Sequence, residues 1–571
     1  MPGGNSHNAT SPKTADPYAR SSATGREPPV GLVATLKHLG PGMILVGSVV
    51  GSGELLMTTK LGAEAGFVLL WFVLLSCAIK VVVQAELARH TISSGRTFLD
   101  VFNTLPGPKG RRPVWLNLEW MSVVVLSSLA GLAAYSLLDL RAVTDGVEVV
   151  CGLIGLAADR QVIKGVSIFT ASAIACVLWA AAIRRRPLGN DIADARETET
   201  ERRPVVNWVT WLWLLTVLIM FMNGGAILGA AGQAVELAFP QLFGSGSGMV
   251  WTIVVGVVAG GILTIGGYRT LERFSLVLVF VFTFLTIVCT FLLQQTGFAI
   301  TPEQVAEGLT FDLPVSLAAG VVMTALAMYA GTGIGTSEMM SYTYWCVEKG
   351  YARNAGKCEP GDAWPRRARG WIRVMYTDVF LTMIVYTAST ICFYFLGAAI
   401  LHAQGLNPDG PKTVAVIGGI YTETLGSWAA TLFVVGAFFV LFSTVVSGVA
   451  GSTRAMADGL AVLGLIDPRD FPARQRFFRI FAVASLTLHA VTYSLFENPP
   501  LMLMITSIVA VLLYPVIGLG TVYLRYRDVD RRIAPGRAVS IWLWVCGIAL
   551  ALISPAAIFL VMAIQNGWIT I

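Results

Sequence analysis

The chain has 571 residues, of which 55% are hydrophobic and 13% charged, with a formal net charge of +6. A mean hydropathy of +0.69, and about half the roughly 25% charge usual in soluble domains, exclude a string of soluble domains and indicate one integral membrane domain. Apolar runs of about 20 residues recur, the length a helix needs to cross a bilayer. Strand alternation is absent, so an all-α polytopic protein is expected and a barrel is not.

Residues 1–29 are polar and rich in Ser, Pro, Ala and Gly, with no apolar core. Residues 1–37 therefore read as a disordered cytoplasmic tail and not as a cleaved signal peptide. The transmembrane domain is expected over 38–565. Its spans fall near 42–60, 66–88, 114–138, 164–183, 207–231, 250–266, 274–294, 315–345, 374–398, 428–451, 480–496, 500–523 and 540–563, about thirteen helices.

Charge tests this map independently. With the N-terminus in the cytoplasm, inside loops hold 34 of the 40 Lys and Arg and outside loops hold 5; Lys80 lies within a span. This is a strong positive-inside bias. It places the C-terminus outside and accounts for the net charge without a nucleic-acid partner. The expected location is the cytoplasmic membrane, with the lipid bilayer as the partner of the apolar faces. The eight cysteines are scattered without a C-x-x-C pair, which gives little support to a disulfide framework or a zinc site.

Two spans carry similar glycine-rich breaks. One reads Gly51-Ser52-Gly53-Glu54-Leu55-Leu56 and the other Gly335-Thr336-Ser337-Glu338-Met339-Met340. A carboxylate deep in an apolar span is costly and is rarely there without a role. Matching interrupted spans in two halves of a chain point to a transporter's substrate site. The expected substrate-binding residues are Gly51, Ser52, Gly53, Glu54, Gly333, Gly335, Thr336, Ser337 and Glu338. Glu54 and Glu338 are the expected metal ligands, converging on one polar pocket. Glycine in an apolar helix also marks close packing, and either Glu has the alternative of pairing with Lys80 or capping a half-helix.

Other polar residues within spans are candidates for the cavity or for ion coupling: Lys80, Asn223, Ser443, Thr444 and Ser447. For the Ser443, Thr444 and Ser447 face the alternative is a tight helix seam. For Lys80 it is snorkelling toward the surface. Asp378 reads as a capped helix end or a vestibule group, Glu86 with Arg89 as an interface ion pair, and His489 as hydrogen-bonded structure.

From Gly40 the sequence reads GPGMILVGSVVGSGELLMTTKLGAEAGFVLLW. This resembles the first two helices of the Nramp divalent-metal transporters, which open with Gly-Pro, break at Asp-Pro-Gly-Asn and continue through a Gly-rich link. Gln84-Ala85-Glu86-Leu87-Ala88-Arg89, Ser94-Gly95-Arg96 and Gly267-Tyr268-Arg269-Thr270-Leu271-Glu272 resemble later family segments. The resemblance implies the LeuT-like inverted-repeat fold, in which the first helix of each five-helix repeat is broken at the midplane. The spans at 114–138 and 164–183 then form an inserted helix pair, within about 110–205.

The resemblance also exposes two departures. Gly51 stands where the family has its metal-binding Asp and Glu54 where it has Asn. The helix-six Met-Pro-His is absent, with Gly335-Thr336-Ser337 in its place. A secondary transporter of a divalent cation of the Mg²⁺ or Mn²⁺ class, working by alternating access, is the expected function. An organic-solute carrier on the same fold and a non-transporting sensor or scaffold are the alternatives. No P-loop or H-E-x-x-H motif occurs, and neither an enzymatic activity nor a cofactor is expected.

Overall fold

In lipid the backbone must satisfy its own hydrogen bonds, so apolar stretches of this length fold as helices. The computed structural model of the protein describes residues 17–18, 25–113, 203–242, 247–265, 268–313, 319–426 and 429–565. Among these residues nine helices are long and apolar enough to cross a membrane. The expected inserted pair, and the linker that follows it, lie outside the described residues.

The first span is α1 (Pro41–Gly51), a π-helical stretch (Ser52–Thr58) and α2 (Thr59–Ala65). Next comes α3 (Leu70–Ser94). A two-stranded antiparallel ribbon of β1 (Lys109–Arg111) and β2 (Val205–Asn207) brackets the insertion, pairing Lys109 with Asn207 and Arg111 with Val205. The chain thus passes out of the described residues after 113 and returns at 203 beside the same point. Beyond it run α4 (Trp208–Ala238), α5 (Gly248–Ile265) and α6 (Tyr268–Leu292).

The second interrupted span consists of α7 (Ala319–Gly331) and α8 (Thr336–Glu348), separated by a true gap. Each half has 13 residues, too few to cross alone. Beyond it, shorter helices aside, come α9 (Ala363–Leu396) with a π-helical continuation (Gly397–Leu401), α10 (Ala429–Val462), α11 (Phe471–Phe496), α12 (Pro499–Val511), α13 (Tyr514–Arg527) and α14 (Arg537–Gln565).

The two breaks differ, which corrects the expectation of two matching interruptions. The second is a gap, but the first is a widened helix. No proline occurs between Gly51 and Glu54, so every amide there can donate and the chain passes through a π turn instead of unwinding. The π segment and the gap lie against each other. A Cβ at Gly53 would collide with the Gly331 carbonyl, and a Cβ at Gly51 would collide with the Thr444 hydroxyl.

The described part of the N-terminal segment is not a free tail. Tyr18 donates to Glu348 (3.2 Å), Arg26 N donates to Asn354 O (2.8 Å), and Trp371 Nε1 donates to Arg26 O (3.0 Å).

Glycines set the closest approach at the far end of the first span. A Cβ at Gly62 would lie 2.5 Å from the Tyr394 carbonyl and 2.8 Å from Ala398 N, and one at Gly397 would meet the Thr59 carbonyl. Gly62→Val is expected to force α2 off the second π segment at a cost of about 1–3 kcal/mol. Thermal unfolding of the detergent-purified protein checks this; an unchanged midpoint would mean that the contact is not needed.

Candidate functional site

The gap between α7 and α8 frees main-chain groups that lipid cannot satisfy, and side chains from other elements meet them. Gly333 takes a left-handed conformation (φ 65°), which favours glycine, and turns its amide toward Glu54. Gly333 N donates to Glu54 Oε1 at 2.9 Å, and Thr390 adds a second donor at 3.3 Å. Glu54 is fully buried and its Oε2 has no hydrogen-bond partner among the described residues.

On the other side of the gap the carbonyls at the C-terminal end of α7 are taken up. Lys80 Nζ donates to Tyr329 O (2.5 Å) and Thr332 O (2.6 Å), while Tyr514 donates to Ala330 O (3.0 Å). Thr58 and Thr332 share a hydroxyl contact of 2.9 Å, and Thr58 also donates to Gly53 O (3.1 Å).

Glu338 has a different setting. It lies in the first turn of α8, where the helix dipole favours negative charge. Ser48 donates to its Oε1 (3.1 Å) and Ser337 to its Oε2 (2.9 Å). Gly335 keeps room for this carboxylate, since a Cβ there would lie 2.5 Å from Oε2.

The Glu338 carboxylate lines a cavity of about 120 Å³ together with Ser48, Asn223, Thr336, Ser337, Ser341, Thr444, Ser447 and Ser452. The opposing walls include Trp213, Met220, Phe221, Met340, Trp345, Met456, Phe481 and His489. A second cavity of about 50 Å³ adjoins it at Glu338, Ser337, Asn223, Gly53 and Gly335. The larger one is lined from Trp213 to Ile227 on α4 and from Thr336 to Trp345 on α8. On α2, buried Lys60 bridges Asn407 (3.0 Å) and Glu64 (3.1 Å).

The structure thus brings Glu338, Thr336, Ser337, Asn223, Thr444 and Ser447 together, with Gly53 and Gly335 at the margin. It does not bring Glu54 into that cavity: Glu54 is spent on the gap, on the Gly333 side. Lys80 neither snorkels nor faces the cavity. Ser443 and Thr444 donate to Gly47 O (3.0 and 3.1 Å), so this part of the α10 face is a seam, whereas Ser447 and Ser452 open to the cavity. Gly51 and Ser52 lie where the π turn begins. Among the described residues no group of three or more His, Cys, Asp or Glu is arranged to hold a metal ion.

Several partners were not legible beforehand. Asp378 caps another helix: Gly40 N (3.2 Å) and Gly42 N (2.6 Å) donate to it, as does Tyr342 (2.9 Å). The Gly-Pro-Gly start of α1 was the available signal. Asp458 gathers Thr97 (2.7 Å), Leu99 N (3.0 Å) and Tyr344 (2.9 Å), and no local motif marks it. Glu86 and Arg89 pair at 3.0 Å.

Asp378 joins the start of α1 to α8 and α9. Asp378→Asn is expected to weaken these bonds by about 2 kcal/mol and to speed amide exchange across Gly40–Ile44 roughly tenfold or more. Hydrogen–deuterium exchange read by mass spectrometry on peptides from this segment checks it, and unchanged protection would exclude a latch.

Comparisons with known proteins bear on the fold and the family. The model of the natural resistance-associated macrophage protein-like family matches residues 188–560. None of the curated proteins matches the sequence. The Eremococcus coleocola manganese transporter, in complex with an aromatic bis-isothiourea substituted compound, superposes with a TM-score of 0.52 at 14% identity, covering 95% of this chain and 91% of that one. A mutant of that transporter gives 0.52 at 13% identity, over 96% and 92%. The likeness is one of fold: the LeuT-like inverted repeat, with the π-widened and gapped spans as the first helices of its two halves.

Proposed function

The chain belongs to the natural resistance-associated macrophage protein-like (Nramp) family, a family of secondary transporters, and on that premise we propose that it carries a hydrated divalent cation of the Mg²⁺ or Mn²⁺ class through the Glu338 cavity by alternating access. The observation that carries the reading is a single carboxylate set among neutral oxygens. Ser48, Ser337, Thr336 and the Asn223 amide surround Glu338 in a space wide enough for several waters. Mg²⁺ gives up its waters reluctantly and is commonly held through one or two carboxylates with its shell largely kept. One acidic group with hydroxyl and amide partners fits such an ion better than a dehydrated transition metal, which needs more ligands.

In this reading Glu338 and its hydroxyl neighbours bind the cargo, while Glu54 holds the gap through Gly333. The positive-inside bias supports a cytoplasmic N-terminus and a place in the cytoplasmic membrane. An organic cation is the second reading, favoured by Trp213, Phe221, Trp345 and Phe481 on the cavity wall, whose ring faces attract cations.

In proteoliposomes Mn²⁺ uptake is expected to be competed by Mg²⁺. Glu338→Gln is expected to lower Mn²⁺ affinity roughly tenfold or more, a loss of 1.4 kcal/mol or above. Glu54→Gln is expected to leave affinity within about threefold while slowing uptake. Tracer flux and equilibrium binding on the same preparations decide it. Competition by organic amines and not by Mg²⁺ favours the second reading, and binding without flux favours a sensor.

A further inference from the structure

Lys80 has a setting that the cargo site does not use. Its side chain is 0% exposed in the middle of α3, and its ammonium faces the C-terminal end of α7. Besides the Tyr329 and Thr332 carbonyls it lies 5.0 Å from the Tyr329 ring and 5.7 Å from the Tyr514 ring. Glu54 and Glu338 are both within its electrostatic reach.

The end of a half-helix carries partial negative charge on its open carbonyls. In carriers built from broken helices these carbonyls commonly coordinate a coupling Na⁺ or H⁺. Here the chain supplies the positive charge itself. Near the π segment, Gly47 O likewise accepts from within the protein, from the Ser443 and Thr444 hydroxyls.

We infer that Lys80 is a built-in cation: its ammonium takes the place at the end of α7 where a mobile monovalent ion would be coordinated, so that transport requires no such co-ion there. This rests on the transporter reading above. It adds that Lys80 is the residue that sets independence from monovalent cations.

The test uses the full chain and two readouts. In the first, thermal unfolding of Lys80→Ala is followed with methylammonium, the ammonium head of the missing side chain. Methylammonium at millimolar levels is expected to raise the midpoint of Lys80→Ala by roughly 2 °C or more, through binding to the vacated site, and to leave the unsubstituted protein unchanged. Equal shifts in both proteins, or none in either, overturn the inference. Should Lys80→Ala fail to fold, Lys80→Gln, which keeps a donor and loses the charge, carries the same comparison.

In the second readout, Mn²⁺ uptake by the unsubstituted protein is measured with Na⁺, K⁺ or choline as the sole monovalent cation. Rates within about twofold of one another support the inference, and a tenfold dependence on Na⁺ or K⁺ overturns it. Absence of Mn²⁺ uptake under every condition overturns the cargo reading instead, and the unfolding comparison then still decides the role of Lys80.

Discussion

Interrupting a helix inside a bilayer leaves main-chain donors and acceptors with no water to meet them, and the core of this protein is arranged around that demand. Four groups at the gap after α7 are met by three side chains from three other elements: Lys80 on α3, Tyr514 on α13 and Glu54 on the π segment. Each of these is fully buried. An ammonium and a carboxylate so placed are costly unless both are hydrogen-bonded, and the gap supplies the bonds. The gap and the charges therefore stabilise one another, and neither is tenable alone.

This constraint separates the two glutamates that share a motif. In Gly51-Ser52-Gly53-Glu54 the chain stays helical, so Glu54 projects sideways into the neighbouring break. In Gly335-Thr336-Ser337-Glu338 a new helix begins, and its first turn turns Glu338 toward the hydroxyls of Ser48 and Ser337. The sequences match while the backbones do not, because only the second break interrupts the hydrogen-bond ladder. One glutamate becomes part of the scaffold and the other faces the cavity.

What the sequence discloses follows from the range of the interaction. The span map, the inside-outside charge asymmetry and the positions of both breaks depend on local composition, and all could be read directly. Glu338, Ser337 and Thr336 were marked by the glycine-rich break and Asn223 by its polarity within a span, and the four line one cavity. The destination of Lys80 was not marked, because its carbonyl partners lie about 250 residues away. Asp378 meets Gly40 and Gly42 across separations of 338 and 336 residues. A buried charge can be recognised from one residue, but its partner is a property of the packing. The π turn was hidden for another reason: glycines permit a break, and only the lack of a proline argues that the helix continues.

The same bonds decide which parts of the molecule move together. Parting a buried charge from its partners costs several kcal/mol, well above thermal energy, so α3, α7 and α13 share one body through Lys80 and Tyr514. The two ends of the bundle carry buried charges of their own. Asp378 holds the start of α1 through two main-chain amides, and Lys60 holds α2 through Asn407 and Glu64 near the opposite surface. Both ties are anchored on the first span, and both are buried, with Asp378 1% and Lys60 3% exposed. Opening one end while closing the other therefore asks for changes at the first span, whose contacts with its neighbours at Gly51, Gly53 and Gly62 run through glycines with no side chain to interlock. The gap lies beside that span and is joined to it through Glu54 and Gly333.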